Sequence, residues 1–125
     1  MEKILVAIPS NNPGGLDAGM GMHFGHCDIY TLVELEGGEV KSVGTMNNES
    51  HEEGGCLVPV QRLAERKVNV LLAGGMGMRP LNGFQQAGID VYHSGLASTV
   101  GAAVQAFAAG RLQKFAADAT CKGCH

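Results

Sequence analysis

The sequence predicts an α/β domain with three layers, in which helices cover a mixed sheet. Three observations favour this fold class. Short apolar runs with the length of buried strands recur along the chain, beginning with residues 3–8. The pair Gly37-Gly38 separates two alternating segments, which is typical of a β-hairpin because glycine accepts positive φ. Beyond the hairpin, helical segments alternate with buried strands, which predicts parallel strands joined by right-handed crossovers.

The predicted elements follow the order strand, β-hairpin, helix, strand, helix, strand, helix. The hairpin strands cover residues 29–36 and 40–46, and alternation in the second strand places on one face Val40, Ser42, Gly44 and Met46. Helices are predicted over residues 57–67 and 81–87 and from a cap at Ser98 or Thr99 to Gly110, with strands over residues 68–73 and 89–93. The domain therefore has a five-stranded sheet and three main helices.

The length and composition restrict the number of domains and the class of partner that the chain can have. Its 125 residues suit one domain, which we expect to span residues 1–113. Residues 114–125 have little hydrophobic pattern and are expected to form a flexible Cys-rich tail. The net charge of −3, without a cluster of Lys and Arg, argues against nucleic acid as a partner.

The cellular setting is also predicted from the sequence. No apolar run approaches the roughly 18 residues of a membrane span, and residues 4–8 are too short for a secretory signal. We therefore expect a cytoplasmic protein without a membrane partner, whose thiols are kept reduced. Four cysteines in that setting favour metal or redox chemistry over structural disulfides.

Two segments carry side chains that could ligate metal. The first, just before the hairpin, contains His23, His26 and Cys27, and the second, just after it, contains His51 and Cys56. Imidazole and thiolate are ligands that soft and borderline metals prefer. The alternative is that these are surface histidines and small buried thiols.

A glycine-methionine segment follows the strand predicted over residues 68–73. Open α/β sheets bind ligands at the carboxyl ends of their parallel strands, where glycines let backbone amides approach an anion. The candidate binding residues in this segment are Gly74, Gly75, Met76, Gly77 and Arg79. The segment lacks both the GxGxxG spacing and a Walker lysine, so a nucleotide site is only weakly indicated.

The chain ends in Cys121-Lys122-Gly123-Cys124-His125, which matches the attachment pattern of haem c. Haem attachment of this kind needs export, which we do not expect here, and we expect no further helix to enclose a haem, so the sequence disfavours haem. The remaining interpretations are a tail that handles metal through Cys121, Cys124 and His125, a thiol redox pair, or an inert terminus.

The order of these motifs resembles the dinitrogenase iron-molybdenum cofactor biosynthesis family. This family includes NifX-like proteins, the carboxyl-terminal domain of NifB and the orange protein. The resemblance covers residues 3–113 and rests on His23-Phe24-Gly25 before a strand, the hairpin, an acidic segment ending at Gly54-Gly55, Gly75-Met76-Gly77 before a helix, and the closing segment from Thr99 to Leu112.

The resemblance implies a ribonuclease H-like fold without nuclease activity. It also implies a protein that holds metal-sulfur clusters or their precursors without being an enzyme, using His23, Phe24 and Gly25 together with residues 74–77. This chain departs from the commoner family pattern at His26-Cys27, at Cys56 and in its tail. Those departures favour direct ligation by thiolates.

The leading prediction is thus a cytoplasmic, non-enzymatic carrier or assembly protein for a metal-sulfur cluster of the Fe-S, Mo-Fe-S or Mo-Cu-S type. Its expected partners are other cluster-assembly or acceptor proteins, and two chains could share a cluster as a homodimer. The alternatives left open are a thiol redox protein using Cys121 and Cys124 and an anion- or nucleotide-binding module using residues 74–80.

Overall fold

The computed structural model describes residues 3–11, 14–19, 29–47, 57–74, 78–94 and 98–114. The elements, in chain order, are β1 (Lys3–Ser10), β2 (Ile29–Glu36), β3 (Glu39–Asn47), α1 (Leu57–Glu65), β4 (Val70–Ala73), α2 (Met78–Ala87), β5 (Asp90–His93) and α3 (Val100–Ala108). The predicted order of five strands and three helices is confirmed.

The five strands form one mixed sheet in the order β3-β2-β1-β4-β5. β2 pairs antiparallel with both β1 and β3, whereas β4 pairs parallel with both β1 and β5. The hairpin is therefore antiparallel and the strand-helix alternation beyond it builds parallel strands, as the sequence predicts. No helix in the described part of the chain is long and apolar enough to cross a membrane.

The hairpin corrects one detail of the predicted pattern. Gly37 and Gly38 have φ values of 62° and 83°, which a two-residue turn requires. The register then shifts, because Ser42 pairs with Glu34 whereas Val40 pairs with Leu35. This bulge inserts one extra residue into β3, so Val40 does not share a face with the residues at 42, 44 and 46. The predicted single face from Val40 to Met46 is wrong.

One face of the sheet packs against α1 and α2. Helical periodicity predicts an apolar stripe of Val60, Leu63 and Ala64 in α1. The stripe is confirmed, because Val60 and Leu63 are buried and Ala64 packs beside them. α1 ends at Glu65, two residues before the predicted end, and Lys67 takes a left-handed φ of 63°. The other residues of this core include Ala7, Tyr30, Leu32, Met46, Leu71, Ala73, Leu81, Phe84, Ile89 and Val91.

The opposite face packs against α3 and the segment 14–19. Thr99 is the N-cap of α3. The helical pattern predicts that Val100, Ala103 and Val104 face inward, and all three are buried. Phe107 lies against Tyr92, with ring centroids 5.1 Å apart in an edge-to-face arrangement. The strand residues of this core are Val6, Ile8, Val33, Leu35, Val70 and Leu72. Helices on both faces make the three layers that the sequence predicts.

Candidate functional site

All five strands begin or end along one side of the sheet, which runs across the strands and is called the carboxyl edge because the parallel strands end there. Ser10, at the end of β1, pairs with Ile29, and Ile29 pairs with Asn47 at the end of β3. On the parallel side, Ala73 at the end of β4 pairs with His93 at the end of β5. The carboxyl ends of the three parallel strands therefore lie at the same edge as the hairpin's open end, which is where α/β sheets bind ligands.

Four stretches of sequence have both of their flanking elements at this edge. They are residues 20–28, 48–56, 75–77 and 95–97, and all four lie outside the described residues. The first two carry the predicted ligands His23, His26, Cys27, His51 and Cys56, and the others predicted there are Phe24, Gly25, Gly75, Met76 and Gly77. The fold thus brings the flanks of the predicted segments together, while the mutual arrangement of the ligands stays a prediction.

Only two of the predicted binding residues fall on described backbone. Gly74 follows β4 directly and is exposed, and Arg79 is in the first turn of α2. Both positions are at the carboxyl edge, consistent with the predicted ligand-binding segment. The predicted tail ligands Cys121, Cys124 and His125 lie outside the described residues.

Asn11 and residues 14–19 form an anchored base next to the segment that contains His23, His26 and Cys27. The Asn11 amide donates to the Gly19 carbonyl at 3.0 Å, which closes the base into a loop. Gly19 also bridges to Thr99, next to α3. Both the start of the segment 20–28, at Gly19, and its end, at Ile29, are therefore attached to the core.

A relay of buried hydroxyl groups supports this base. The Ser10 hydroxyl donates to the Ile8 carbonyl at 2.7 Å, and the Ser10 and Thr31 oxygens are 2.9 Å apart. Because Ser10 has a single hydroxyl proton, Thr31 is the donor in the second bond. The Thr31 oxygen in turn accepts from the Gly15 amide at 3.1 Å. The relay joins β1, β2 and the base at the carboxyl edge.

The amino terminus of α3 is used within the protein. Its amides at residues 100–102 donate to the Ala18 carbonyl, the Leu16 carbonyl and the Thr99 hydroxyl, at 2.9, 2.8 and 3.2 Å. Exposed amides at a helix amino terminus commonly bind anions. Here they are already paired, so an anion at this end of α3 must be bound by other groups.

Charged pairs lie at the opposite ends of the strands, where the parallel strands begin. Lys3 and Glu34 approach to 3.9 Å, Glu39 and Lys41 to 3.6 Å. The described part of the carboxyl edge instead has the buried hydroxyls of Ser10, Thr31 and Ser94. Within the described ranges no three His, Cys, Asp or Glu side chains are grouped to hold a metal. The imidazole and thiol groups predicted to ligate metal belong to residues 20–28 and 48–56, which lie outside those ranges.

His93 is a residue at this edge that the sequence prediction missed. It is the histidine of the described part of the chain, and it is the last residue of β5. Its position as the final residue of a parallel strand was the signal that could have identified it, because such positions face the ligand-binding edge.

Comparison with known proteins gives a consistent result. A family model described as dinitrogenase iron-molybdenum cofactor matches residues 2–110. An uncharacterised protein of Methanocaldococcus jannaschii, MJ0580, is 29% identical over 123 residues, which is 92% of this chain and 99% of that protein.

Two solved structures share the fold over almost the whole chain. The apo form of the orange protein from Desulfovibrio gigas has a TM-score of 0.76 at 27% identity, covering 90% of this chain and 92% of that chain. A Thermotoga protein of the DUF35 family, described as NifB-like, has a TM-score of 0.76 at 27% identity and covers 96% of this chain and 99% of its own.

Proposed function

The chain belongs to the dinitrogenase iron-molybdenum cofactor family, as the order of its motifs predicts, and we propose that it binds, carries or helps assemble a metal-sulfur cluster or a cluster precursor. The family supports cluster binding or assembly in general. The observation that carries the proposal for this chain is topological. Two segments rich in His and Cys have their flanks at one edge of the sheet, beside the glycine-methionine segment.

In this proposal, the ligands come from two segments on either side of the hairpin. His23, His26 and Cys27 form one wall, and His51 and Cys56 form the other. Thiolates ligate iron, copper or molybdenum centres, and imidazoles either ligate or donate to sulfide. The residues that would line the rest of the site are Phe24, Gly25, Gly74, Gly75, Met76, Gly77 and Arg79.

The proposed role is non-catalytic. The protein would hold an Fe-S, Mo-Fe-S or Mo-Cu-S unit and pass it to a cluster-assembly or acceptor protein in the cytoplasm. An anchored base next to the segment with the proposed ligands favours cluster binding, because the backbone on either side of these ligands is fixed to the core. A homodimer could share one cluster between two such edges.

The tail predicted over residues 114–125 is proposed to be separate from the domain only beyond Lys114, because Lys114 itself bridges to Tyr92 of β5. Its Cys121, Cys124 and His125 could add ligands to the cluster or reach a partner. The Cys-x-x-Cys spacing also favours a second function, in which the two thiols form a reversible disulfide. Cys27 and Cys56 have no role in that second function.

Anaerobic reconstitution tests the proposal. Apo protein is incubated with iron and sulfide, or with tetrathiomolybdate and copper, desalted, and assayed for visible absorption, metal and sulfide. We expect retention in the wild type and a loss of most of it in the Cys27→Ser, Cys56→Ser double variant. The Cys121→Ser, Cys124→Ser double variant tests the tail separately: full retention means that the domain alone holds the cluster, and partial loss means that the tail adds ligands.

The outcomes separate the two functions. Equal metal and sulfide in the wild type and in a variant lacking all four cysteines would refute the proposal that thiolates of this chain hold the cluster. A disulfide between Cys121 and Cys124 that cycles with dithiol reductants, in a protein without bound cluster, would instead establish the thiol redox function. A thermal-shift panel of nucleotides tests the anion-binding alternative, because a ligand of the native state raises the Tm by mass action.

A further inference from the structure

His93 is the last residue of β5, and hydrogen bonds hold its backbone in place at the carboxyl edge. Its amide donates to the Gln113 carbonyl at 2.9 Å, and the next amide, of Ser94, donates to the Ala73 carbonyl at 2.9 Å. Ser94 is buried, whereas His93 is half-buried. The backbone of His93 is therefore held from both sides, while part of its surface is open to solvent.

Residues 111–114, which follow α3, run antiparallel to β5 and bring an arginine close to His93. Tyr92 and Lys114 form an antiparallel bridge, and the bond from His93 to Gln113 continues it. Extending this register places Arg111 beyond the last residue of β5, on the carboxyl side. A cavity of about 260 Å³ is lined there by His93, Arg111, Leu112 and Gln113.

The charge around this cavity favours an anion. Its described lining has a guanidinium, an imidazole and an amide, and no carboxylate. Asp90 is at the opposite end of β5, where it pairs with Lys114 at 3.7 Å. Guanidinium groups bind planar or tetrahedral anions through two parallel hydrogen bonds, and imidazole adds a further donor. Since a water in the liquid occupies about 30 Å³, the cavity has room for a small anion with some of its water.

We propose that His93 and Arg111 form an anion subsite at the end of β5 that takes a tetrahedral oxoanion or thioanion with two negative charges. The proposal rests on the proposed function, because such an anion is the inorganic unit from which a molybdenum-containing cluster is built. The amides of α3 are already paired, so the side chains at positions 93 and 111 supply the donors at this end of the sheet.

The test uses the full-length apo protein, without iron or sulfide, labelled with ¹⁵N. Sodium molybdate is titrated at constant ionic strength, with sodium sulfate as a second arm. We expect saturable shifts of the backbone amide signals of residues 93 and 111–113 with molybdate. A matching response to sulfate means that the subsite accepts any tetrahedral dianion, and a weaker one means that it prefers the larger anion. Both responses support the subsite.

Three variants sharpen the test. Arg111→Ala should weaken molybdate binding by about tenfold or more, the effect of one lost charge-assisted hydrogen bond. His93→Gln keeps the backbone bond to Gln113 and should weaken binding by a smaller factor. Arg66→Ala is the matched control, because Arg66 lines a separate groove beside Met46 at the β3 end of the sheet. This control should bind molybdate like the wild type.

The proposal is overturned if molybdate causes no localised shifts at residues 93 and 111–113. It is also overturned if Arg66→Ala weakens binding as much as Arg111→Ala does, since that result means general charge attraction. Because the titration needs no cluster, it separates the two proposals. Cluster retention without these shifts refutes the subsite alone, whereas these shifts without cluster retention refute the carrier function alone.

Discussion

Replacing Thr31 by Val tests the hydroxyl relay beneath the candidate site. Val has nearly the same shape as Thr, and Thr31 is fully buried, so the substitution removes hydrogen bonds with little change in volume. It leaves the Gly15 amide without its acceptor at 3.1 Å and the Ser10 oxygen without its donor at 2.9 Å. The Ser10 bond to the Ile8 carbonyl is unaffected.

The expected cost follows from the burial of these groups. A buried polar group that loses its hydrogen bond destabilises a protein by about 1–3 kcal/mol. The Gly15 amide is only partly buried and the Ser10 oxygen keeps one bond, so we expect Thr31→Val to lower the free energy of unfolding by about 2 kcal/mol. Urea unfolding of the apo protein, followed by circular dichroism, measures this change at an unchanged m-value.

A double-mutant cycle with Ser10→Ala provides the control. If the two hydroxyls interact as described, the double variant costs less than the sum of the single variants, by about 0.5–1 kcal/mol or more. The reasoning is refuted if Thr31→Val is as stable as the wild type, or if the two single effects are strictly additive. Either result would mean that the relay does not support the base of the candidate site.

Two further predictions concern α3. Thr99→Ala removes the cap on the Ala102 amide and should cost about 1 kcal/mol, whereas Ser98→Ala, one residue earlier and exposed, should cost less than half of that in the same urea assay. Equal effects of the two variants would contradict the cap. Phe107→Leu removes the edge-to-face contact with Tyr92 and should cost about 0.5–1.5 kcal/mol beyond the lost apolar area. A Phe107→Leu protein with wild-type stability would show that the ring pair adds nothing.

Local sequence patterns were enough to predict the helices and strands. Features that depend on pairing between strands could not be predicted from them. The Gly37-Gly38 turn was predictable because two adjacent residues determine it. The stripe of α1 was predictable because helical periodicity is local. The face of Val40 was not predictable, because the bulge depends on how β3 registers with β2. Alternation along one strand contains no information about an extra residue relative to its neighbour.

The same distinction between local patterns and long-range pairing applies to the candidate site. Residue type and order were enough to predict the family, which is confirmed. The ligands predicted from the same residues, including His23, Cys27 and Cys56, lie outside the described residues and stay a prediction. The sequence pattern places His93 only in a core strand, because its place in the proposed anion subsite depends on the parallel neighbour Ala73 and on the return of residues 111–114. Both relationships join residues that are distant in sequence, and they become visible only once the sheet order is known.

Gly14 offers a final test of how closely the base of the candidate site is packed. Gly14 and Gly15 both have positive φ, 80° and 96°, so replacing either by Ala imposes backbone strain of about 1–3 kcal/mol. A Cβ on Gly14 would also lie 2.9 Å from Thr45 Cγ2 and 3.3 Å from Thr31 Oγ1, whereas one on Gly15 would meet nothing within 4 Å.

The difference between the two alanine variants isolates the packing contribution. Forcing an extra methyl into a packed site costs about 1–3 kcal/mol, so Gly14→Ala should be less stable than Gly15→Ala by that amount in urea unfolding. The same pair reports on function, because Gly14 lies between β1 and the segment containing His23 and Cys27. If the anchored base positions those ligands, folded Gly14→Ala protein retains less cluster than folded Gly15→Ala protein. Equal stability and equal retention would mean that the base does not control the geometry of the segment it precedes.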